Sequence, residues 1–500
     1  MNALYHHARK HPAGTAFFHE DIVWTYRDLV NRSEDVARGL LARGIRGGDR
    51  VLLHMSNRPE MVFALYACFR IGAIACPMNL RLKTVEARAL VQRLDPAIYL
   101  GEEGLYSVVQ SIEPDILAPE NRFVTGQSEA NEGAMAWSAL TAEAYNGPMP
   151  PEPATATPTL LLTTSGTTGR PKLVAHTPGT LSAIAEGFRH QGMDAGQIVL
   201  NASPMVHGSG LSTFLAAVNF CAAVVLVAGF DPETVLDRIE AHRCTSLGGL
   251  PFMFHALLER QLQRPRKVDS LRHCISAGDV CPVQLQADFE ATFGVPLRSV
   301  WGCTEASASF TYGLQPGTVS RRIPGVEVRL ADDQDRAVAP GEVGELLVRG
   351  PNVTVGYWLG PDRVEEATTN GWFNTGDLMR QGAGDDLWFV GRMKDLIIRG
   401  GSNISPVEVE RVLLGHPLVS DAAVFGVPDP VLGQRVAAMV RVAGAVDEAA
   451  IAGILTDTRG QLADYKAPEW LLTVDAVPRN PLGKIDRQAL ATQMAARLAA

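Results

Sequence analysis

The sequence has no Cys-x-x-Cys pair, no run of five like charges, no internal repeat and no low-complexity tract. Each lack excludes a class. Its seven cysteines (Cys68, Cys76, Cys221, Cys244, Cys274, Cys281 and Cys303) have no zinc-site spacing. They are expected as buried free thiols in a reducing cytoplasm. Acids outnumber Lys and Arg by 54 to 45, a formal charge of -9, and a nucleic-acid surface needs clustered cations instead. The longest apolar stretch, Phe214 to Gly229, is broken by Asn219 and is too short to span a bilayer. It reads as a buried helix followed by a strand. The N-terminal Met1-Asn2-Ala3-Leu4-Tyr5-His6-His7 has no apolar core of signal-peptide length. No transmembrane segment is expected.

What is present is α/β rhythm. Thr25 with Asp28 three residues on is a capping box. Leu29, Val36, Leu40 and Leu41 then recur near helical spacing, and Gly44 ends the helix. Val51–Met55 reads as a strand, Glu60–Phe69 as a helix and Ala73–Cys76 as a strand, which together imply a parallel sheet. Five prolines between 146 and 158 mark a linker. The rhythm resumes with a strand at Val224–Val227, a helix at Pro232–His242, and strands at Cys274–Ser276 and Leu297–Val300. Both of the last two end at candidate ligand loops. Val326–Leu330 and Glu345–Arg349 alternate with period 2 and read as antiparallel β, a small barrel. After Gly391 a compact unit restarts. It has helices at Pro406–Leu414 and Asp447–Gln461 and strands at Ala422–Val427, Val436–Val442 and Trp470–Val474. The expected domains are 1–393 and 394–500.

Five stretches carry chemistry. Thr163 to Lys172 packs four threonines, one serine, two glycines and a lysine behind the apolar run Thr159–Leu162. Backbone N–H groups, hydroxyls and a terminal cation suit phosphate oxygens. It is not a P-loop, because Arg170-Pro171 separates Gly169 from Lys172. Ser299 to Glu305 sets Thr304 beside Glu305, a pairing that can hold Mg²⁺ next to a phosphate, and Trp301 offers a face for a base. Thr375-Gly376-Asp377 presents a short carboxylate in a turn, suited to two ribose hydroxyls. Gly391 to Gly401 and Pro478 to Arg487, the latter with Lys484 on a Pro/Gly-bounded loop, complete the set.

Together the five resemble the adenylate-forming superfamily, which includes acyl-CoA synthetases, nonribosomal-peptide adenylation domains and beetle luciferases. Residues 163–172 match its phosphate signature throughout, Trp301 replaces its usual Tyr, and the later motifs follow in the family's order. The resemblance implies an α/β fold. A large multi-lobed N-terminal domain of parallel α/β subdomains plus a small β-barrel would carry a small α+β C-terminal domain on a hinge. It also implies ATP, Mg²⁺ and coenzyme A. Thr164, Ser165, Gly166, Thr167, Thr168 and Lys172 would hold the β- and γ-phosphates. Ser276-Ala277-Gly278-Asp279, Trp301 and Gly302 would surround adenine. Thr304 would meet the α-phosphate, Glu305 the Mg²⁺, and Asp377 and Arg392 the ribose. Lys484 would bridge carboxylate and α-phosphate, lowering the repulsion between two anions. Lys394 would be the hinge, and Gly400 and Gly401 would later admit the pantetheine of CoA. His207 would gate the acyl pocket, so that His207, Thr304, Glu305 and Lys484 form the catalytic set.

For the acyl group, no acid lies between Asn201 and Phe230. An amino acid's ammonium would be left unpaired there. Acetate-specific relatives place a Trp where this chain has Gly302. The expected lining, His207, Gly208, Ser209, Gly248, Gly249, Ala277, Gly302, Ser307 and Ala308, contains no Lys or Arg. A benzoate-like or medium-chain monocarboxylic acid is expected, activated and passed to CoA. Two other readings stand beside this one, a ligase loading a carrier-protein thiol and a nucleotide-binding sensor. Expected partners are the acid and CoA, with room for a homodimer and for a lysine acetyltransferase and deacetylase acting on Lys484.

Overall fold

In a computed structural model, the structure describes residues 2–126, 133–142, 145–164, 172–313, 315–361, 363–382, 384–442, 444, 447–480 and 484–499. The α/β rhythm builds two large sheets. The first runs Arg363–Glu365, Gly356–Gly360, Lys172–His176, Leu160–Thr164, Ile74–Pro77, Arg50–His54, Ile98–Glu102, Arg122–Thr125, Met135–Ala136. The second runs Leu297–Ser299, His273–Ser276, Ser246–Gly249, Ile198–Asn201, Ala223–Leu226, Thr15–His19, Ile22–Thr25, and is parallel except for its last pair.

Between the sheets lies a layer of helices. The Thr25 side chain accepts from Asp28 N–H in the expected capping box, and the helix runs Tyr26–Ala42. Such a cap is worth ~1 kcal/mol. Burial of Leu29, Val36 and Leu40, each at most 2% exposed, contributes roughly 1.5–3 kcal/mol apiece, so packing outweighs propensity. The helix Pro59–Ile71 is apolar nearly all round because it is sandwiched. Phe63 and Leu65 share one continuous core with Leu53 of the first sheet and Val199 and Val224 of the second. The apolar stretch from Phe214 is the end of helix Gly208–Asn219 plus strand Ala223–Leu226. No helix among the described residues is long and apolar enough to cross a membrane.

The third sheet is antiparallel, in the order Phe310–Tyr312, Thr318–Arg322, Leu387–Arg392, Trp372–Gln381, Val343–Arg349, Glu327–Ala331. Its end strands are not paired with each other among the described residues. The expected barrel therefore takes the form of a sheet packed around Trp301, Phe310, Leu346 and Phe373. A 3-10 turn, Met393–Asp395, containing Lys394, separates this sheet from a fourth one. That fourth sheet is centred on Val419–Asp429 and Gly433–Val442 and carries the helices Pro406–Leu414 and Glu448–Gln461. Arg441 and Arg479 of the small C-terminal domain reach Glu259 at 3.7 Å and Asp279 at 3.9 Å in the large one.

Two sequence-distant pairings were invisible to local pattern. Thr15–His19 joins the second sheet beside Ala223–Leu226, with Phe17 opposite Val224. Gly356–Gly360 joins the first beside Lys172–His176, with Tyr357 opposite Val174.

Arg122 is 2% exposed, and its guanidinium donates to the carbonyls of Val109, Gln110, Ile112 and Leu117. Arg122→Leu would leave these buried acceptors unpaired, at ~1–3 kcal/mol each before relaxation. It is expected to destabilise by at least about 3 kcal/mol. A melting temperature within about 2 °C of the parent would contradict this.

Candidate functional site

Parallel register sets three strand ends side by side. Gly249 pairs with Ser276 and Ser276 with Ser299. Gly248 and Gly249, then Ala277, Gly278 and Asp279, then Val300 to Glu305, thus leave the sheet abreast, where open α/β sheets bind ligands. A neighbouring strand, Ile198–Asn201, leads to His207, the N-cap of helix Gly208–Asn219. Ser209 is exposed in its first turn. Two glycines stand beside other residues of the site, each with room for a side-chain Cβ in ordinary contact. A Cβ on Gly208 would lie 3.7 Å from Leu162 Cδ1 and 3.8 Å from Thr304 Oγ1, and one on Gly302 would lie 3.6 Å from the Ala308 nitrogen and 3.7 Å from Ser307 Cα. The residues expected to line an acyl pocket all follow or end strands of the second sheet, and Gly208 lies beside Thr304 as Gly302 lies beside Ser307 and Ala308. Asn352 Nδ2 donates to the Ser307 carbonyl, 2.9 Å.

The hydroxyl-rich stretch connects two hairpin strands, with Thr164 opposite Lys172. Ser165, Gly166, Thr167 and Thr168 lie outside the described residues. Lys172 Nζ sits 4.1 Å over the ring of Tyr357, and Tyr357 donates its hydroxyl to Glu305 Oε1 at 3.4 Å. Burial raises the Glu305 carboxyl above its ordinary value, with Lys172 among the opposing influences. The Glu305 carbonyl accepts from Thr354 N–H, 2.7 Å. His176, 1% exposed, lies with Nε2 2.9 Å from the Thr304 carbonyl. A carbonyl only accepts, so Nε2 carries the proton.

At the other end, Asp377 is buried and lies opposite Arg392 across two antiparallel strands. Arg392 Nε is 3.0 Å from Oδ1, and Trp301 Nε1 donates to Oδ2 at 2.8 Å. Burial raises the Asp377 carboxyl, with Arg392 and Trp301 opposing. Trp301 is 8% exposed, packed edge-on to Phe310, and still lines the cleft.

The small domain closes this end with a cleft of ≈ 1690 Å³ whose walls include Gly278, Asp279, Trp301, Asp377, Arg392 and Lys484. Asn480 is bonded to Lys484 twice: its N–H donates to the Lys484 carbonyl (2.7 Å) and its Oδ1 accepts from Lys484 N–H (3.1 Å). Burial and then the Arg392 charge lower the Lys484 pKa, opposed by Asp279 and Asp377. His207 is pushed down to about 4 by burial, then by Arg81 and Lys484. Lys484 thus shares one electrostatic neighbourhood with His207, Asp377 and Arg392. Gly400 and Gly401 do not join it. They are exposed at the turn after strand Ile397–Arg399, with Gly400 N–H bonded to the Leu432 carbonyl at 2.8 Å.

Sequence reading missed Tyr357, His176, Arg81 and Arg479. Only Arg479, inside the Lys484 stretch, carried a local signal.

Residues 4–358 match the AMP-binding enzyme family and residues 408–484 the AMP-binding enzyme C-terminal domain. An indoleacetate–CoA ligase of Aromatoleum aromaticum is 32% identical over 96% of this chain and 95% of its own length. An anthranilate–CoA ligase solved with anthranoyl-AMP superposes with a TM-score of 0.89 at 27% identity, covering 99% of this chain and 97% of that one. An O-succinylbenzoate–CoA synthetase of Bacillus subtilis, solved with ATP and magnesium, gives 0.82 at 29% identity, covering 98% and 99%.

His54, His176 and His207 are each pushed down to about 4, chiefly by burial. They are neutral when folded and take up protons on unfolding below their ordinary value of 6.5. The stability they contribute is complete above about pH 6.5 and lost as pH falls to about 4, worth about 3 kcal/mol for His176. Denaturation midpoints should fall from pH 7 to 6 to 5, less steeply in His176→Gln. Equal slopes would contradict the assignment.

Proposed function

The chain belongs to the AMP-binding enzyme family, and we propose that it joins an aromatic or medium-chain monocarboxylic acid to coenzyme A through an acyl-adenylate. It is an acid–thiol ligase that uses ATP and Mg²⁺. One observation carries the residue assignments: Lys484, from the small domain, is brought to the cleft that Asp377, Arg392 and Asp279 line, within the electrostatic reach of His207.

In the first half-reaction, a carboxylate oxygen attacks the α-phosphorus, the bond to the β-phosphate oxygen breaks, and pyrophosphate leaves. Lys484 and Thr304 reduce the repulsion between the two anions. Thr164, Lys172 and the hydroxyls between them hold the leaving group, and Asp377 with Arg392 holds the ribose. Each Asp377 oxygen keeps a lone pair beyond those facing Arg392 and Trp301. Gly278, Asp279, Trp301 and Gly302 flank the base. Among the described residues no three His, Cys, Asp or Glu side chains gather to hold a metal alone. A single half-buried carboxylate beside a hydroxyl, Glu305 and Thr304, fits an ion shared with substrate phosphates. Bound there, Mg²⁺ would neutralise phosphate charge. In the second half-reaction, the CoA sulfur attacks the acyl carbonyl and AMP departs. Lys394, in the turn between two sheets, is the hinge for exchanging Lys484 with the face bearing Gly400 and Gly401.

The substrate class rests on the small, cation-free lining from Gly208 to Ala308 and on relatives named for indoleacetate and anthranilate. The described cysteines are free thiols, in keeping with a cytoplasmic enzyme. Acetylation of Lys484 would remove the charge the first step needs.

A panel of benzoate, anthranilate, indoleacetate and hexanoate should give AMP and pyrophosphate, with acyl-CoA formed only when CoA is present. Silence towards every acid would refute the reading. Lys484→Ala should slow adenylate formation at least about 100-fold while converting supplied acyl-AMP with CoA at near-parent rate. Equal loss in both steps would refute its role. Lys394→Pro should slow thioester formation more than adenylation, and unchanged overall turnover would count against the hinge.

A further inference from the structure

The segment Ser203–His207 forms the backbone approach to His207 and Gly208, yet it belongs to no helix or strand. Met205 and Val206 are each 1% exposed, so their peptide groups need partners other than water. One side chain supplies several of them. Asn57, 1% exposed, lies between strand Arg50–His54 and helix Pro59–Ile71. Its Nδ2 donates to the Ser203 carbonyl at 2.9 Å and to the Val227 carbonyl at 3.0 Å. Its Oδ1 accepts from Met205 N–H at 2.7 Å. Two carbonyls demand the amide's two donors and one N–H demands its oxygen, so the partners dictate the orientation of the amide. A second buried amide, Asn201, donates to the Gly210 carbonyl at 3.0 Å on the far side of His207. Between these two anchors the chain turns once, with His207 N–H bonded to the Pro204 carbonyl at 3.1 Å. Gly208 then lies beside Leu162 and Thr304, which a Cβ built on it would approach to 3.7 and 3.8 Å.

We propose that Asn57 is a positioning residue for the acid site, fixing through Ser203 and Met205 where His207 and Gly208 stand relative to Thr304. The inference rests on reading His207 and Gly208 as a wall of that site. Asn57 touches no reacting atom. It comes from the first α/β unit, and it ties the wall to the first sheet's layer as well as to Val227 of the second. A shift of this backbone changes the acid's fit while leaving the Asp377–Arg392 end of the nucleotide site, on another sheet, in place.

Asn57→Ala tests this. With benzoate and indoleacetate as probes, KM for the acid should rise about tenfold and the preference between the two acids should change, while KM for ATP stays within about twofold. A probe independent of turnover accompanies it. Carbethoxylation of His207 by diethyl pyrocarbonate, read by peptide mass spectrometry against His255, should quicken at least about threefold. Unchanged acid KM and unchanged His207 reactivity would overturn the proposal, and so would equal rises in both KM values, which mark general loosening. If the parent protein releases no AMP with any carboxylate, the ligase reading fails while His207 reactivity still decides for or against Asn57. Should Asn57→Ala not accumulate, Asn57→Ser, which can accept from Met205 N–H but lacks the second donor, carries the same comparison with smaller expected shifts.

Discussion

Two cations from different domains, Arg392 and Lys484, line one partly buried cleft, and the rest of the site is arranged around that constraint. Like charges in a poorly solvated place repel more strongly than in water. Here Asp377 and Asp279 offset the repulsion, and burial still leaves the Lys484 pKa below that of an ordinary lysine. Arg392 already has Asp377 as its partner at 3.0 Å, so in the proposed reaction the triphosphate and the carboxylate supply negative charge chiefly to Lys484, and much of it departs with pyrophosphate. Buried Ser405 donates to the Val390 carbonyl close to the turn that carries Lys394, while the ion pairs that tie the small domain to Asp279 and Glu259 run through exposed or half-exposed arginines and are of the weak, solvent-screened kind. That suits a domain whose proposed task includes leaving.

The scaffold beneath the cleft is built on one continuous hydrophobic core. Helices sandwiched between two sheets make a single core in which Phe63, Leu65 and Phe214 touch residues of both. Strand ends in parallel register then deliver Gly249, Ala277 and Val300 to one edge without any side chain having to choose its place. Where the backbone leaves regular structure, buried polar groups take over the positioning. Asn57 and Asn201 hold the approach to His207, His176 holds the Thr304 carbonyl, and Thr354 holds that of Glu305.

The acid and nucleotide ends meet through small residues. Gly208 and Gly302 lie beside Thr304 and Ser307, close enough that an added Cβ would just come into contact with them. The absence of acids from residues 202 to 230 leaves this segment without a counterion for an ammonium, whereas two cations, Arg81 and Lys484, act on His207 within it.

Motif chemistry was readable from the chain alone. The hydroxyl-rich stretch, Thr304-Glu305, Asp377, Arg392 and Lys484 each present a side-chain type and a turn residue within a few positions, and local sequence determines such short-range geometry. Most helices and strands were readable too, because amphipathic spacing and capping are local; the helix Pro406–Leu414 and the helix after Asp447 are examples. Tertiary structure alone decided the pairings across long loops. Tyr357 reaches Lys172 and Glu305 only because Gly356–Gly360 pairs with Lys172–His176. Trp301 reaches Asp377 only because the second and third sheets pack together, and Asn57 reaches Met205 only because the first two do. Such contacts depend on loop closure and on which hydrophobic faces meet, and no spacing in the sequence records either.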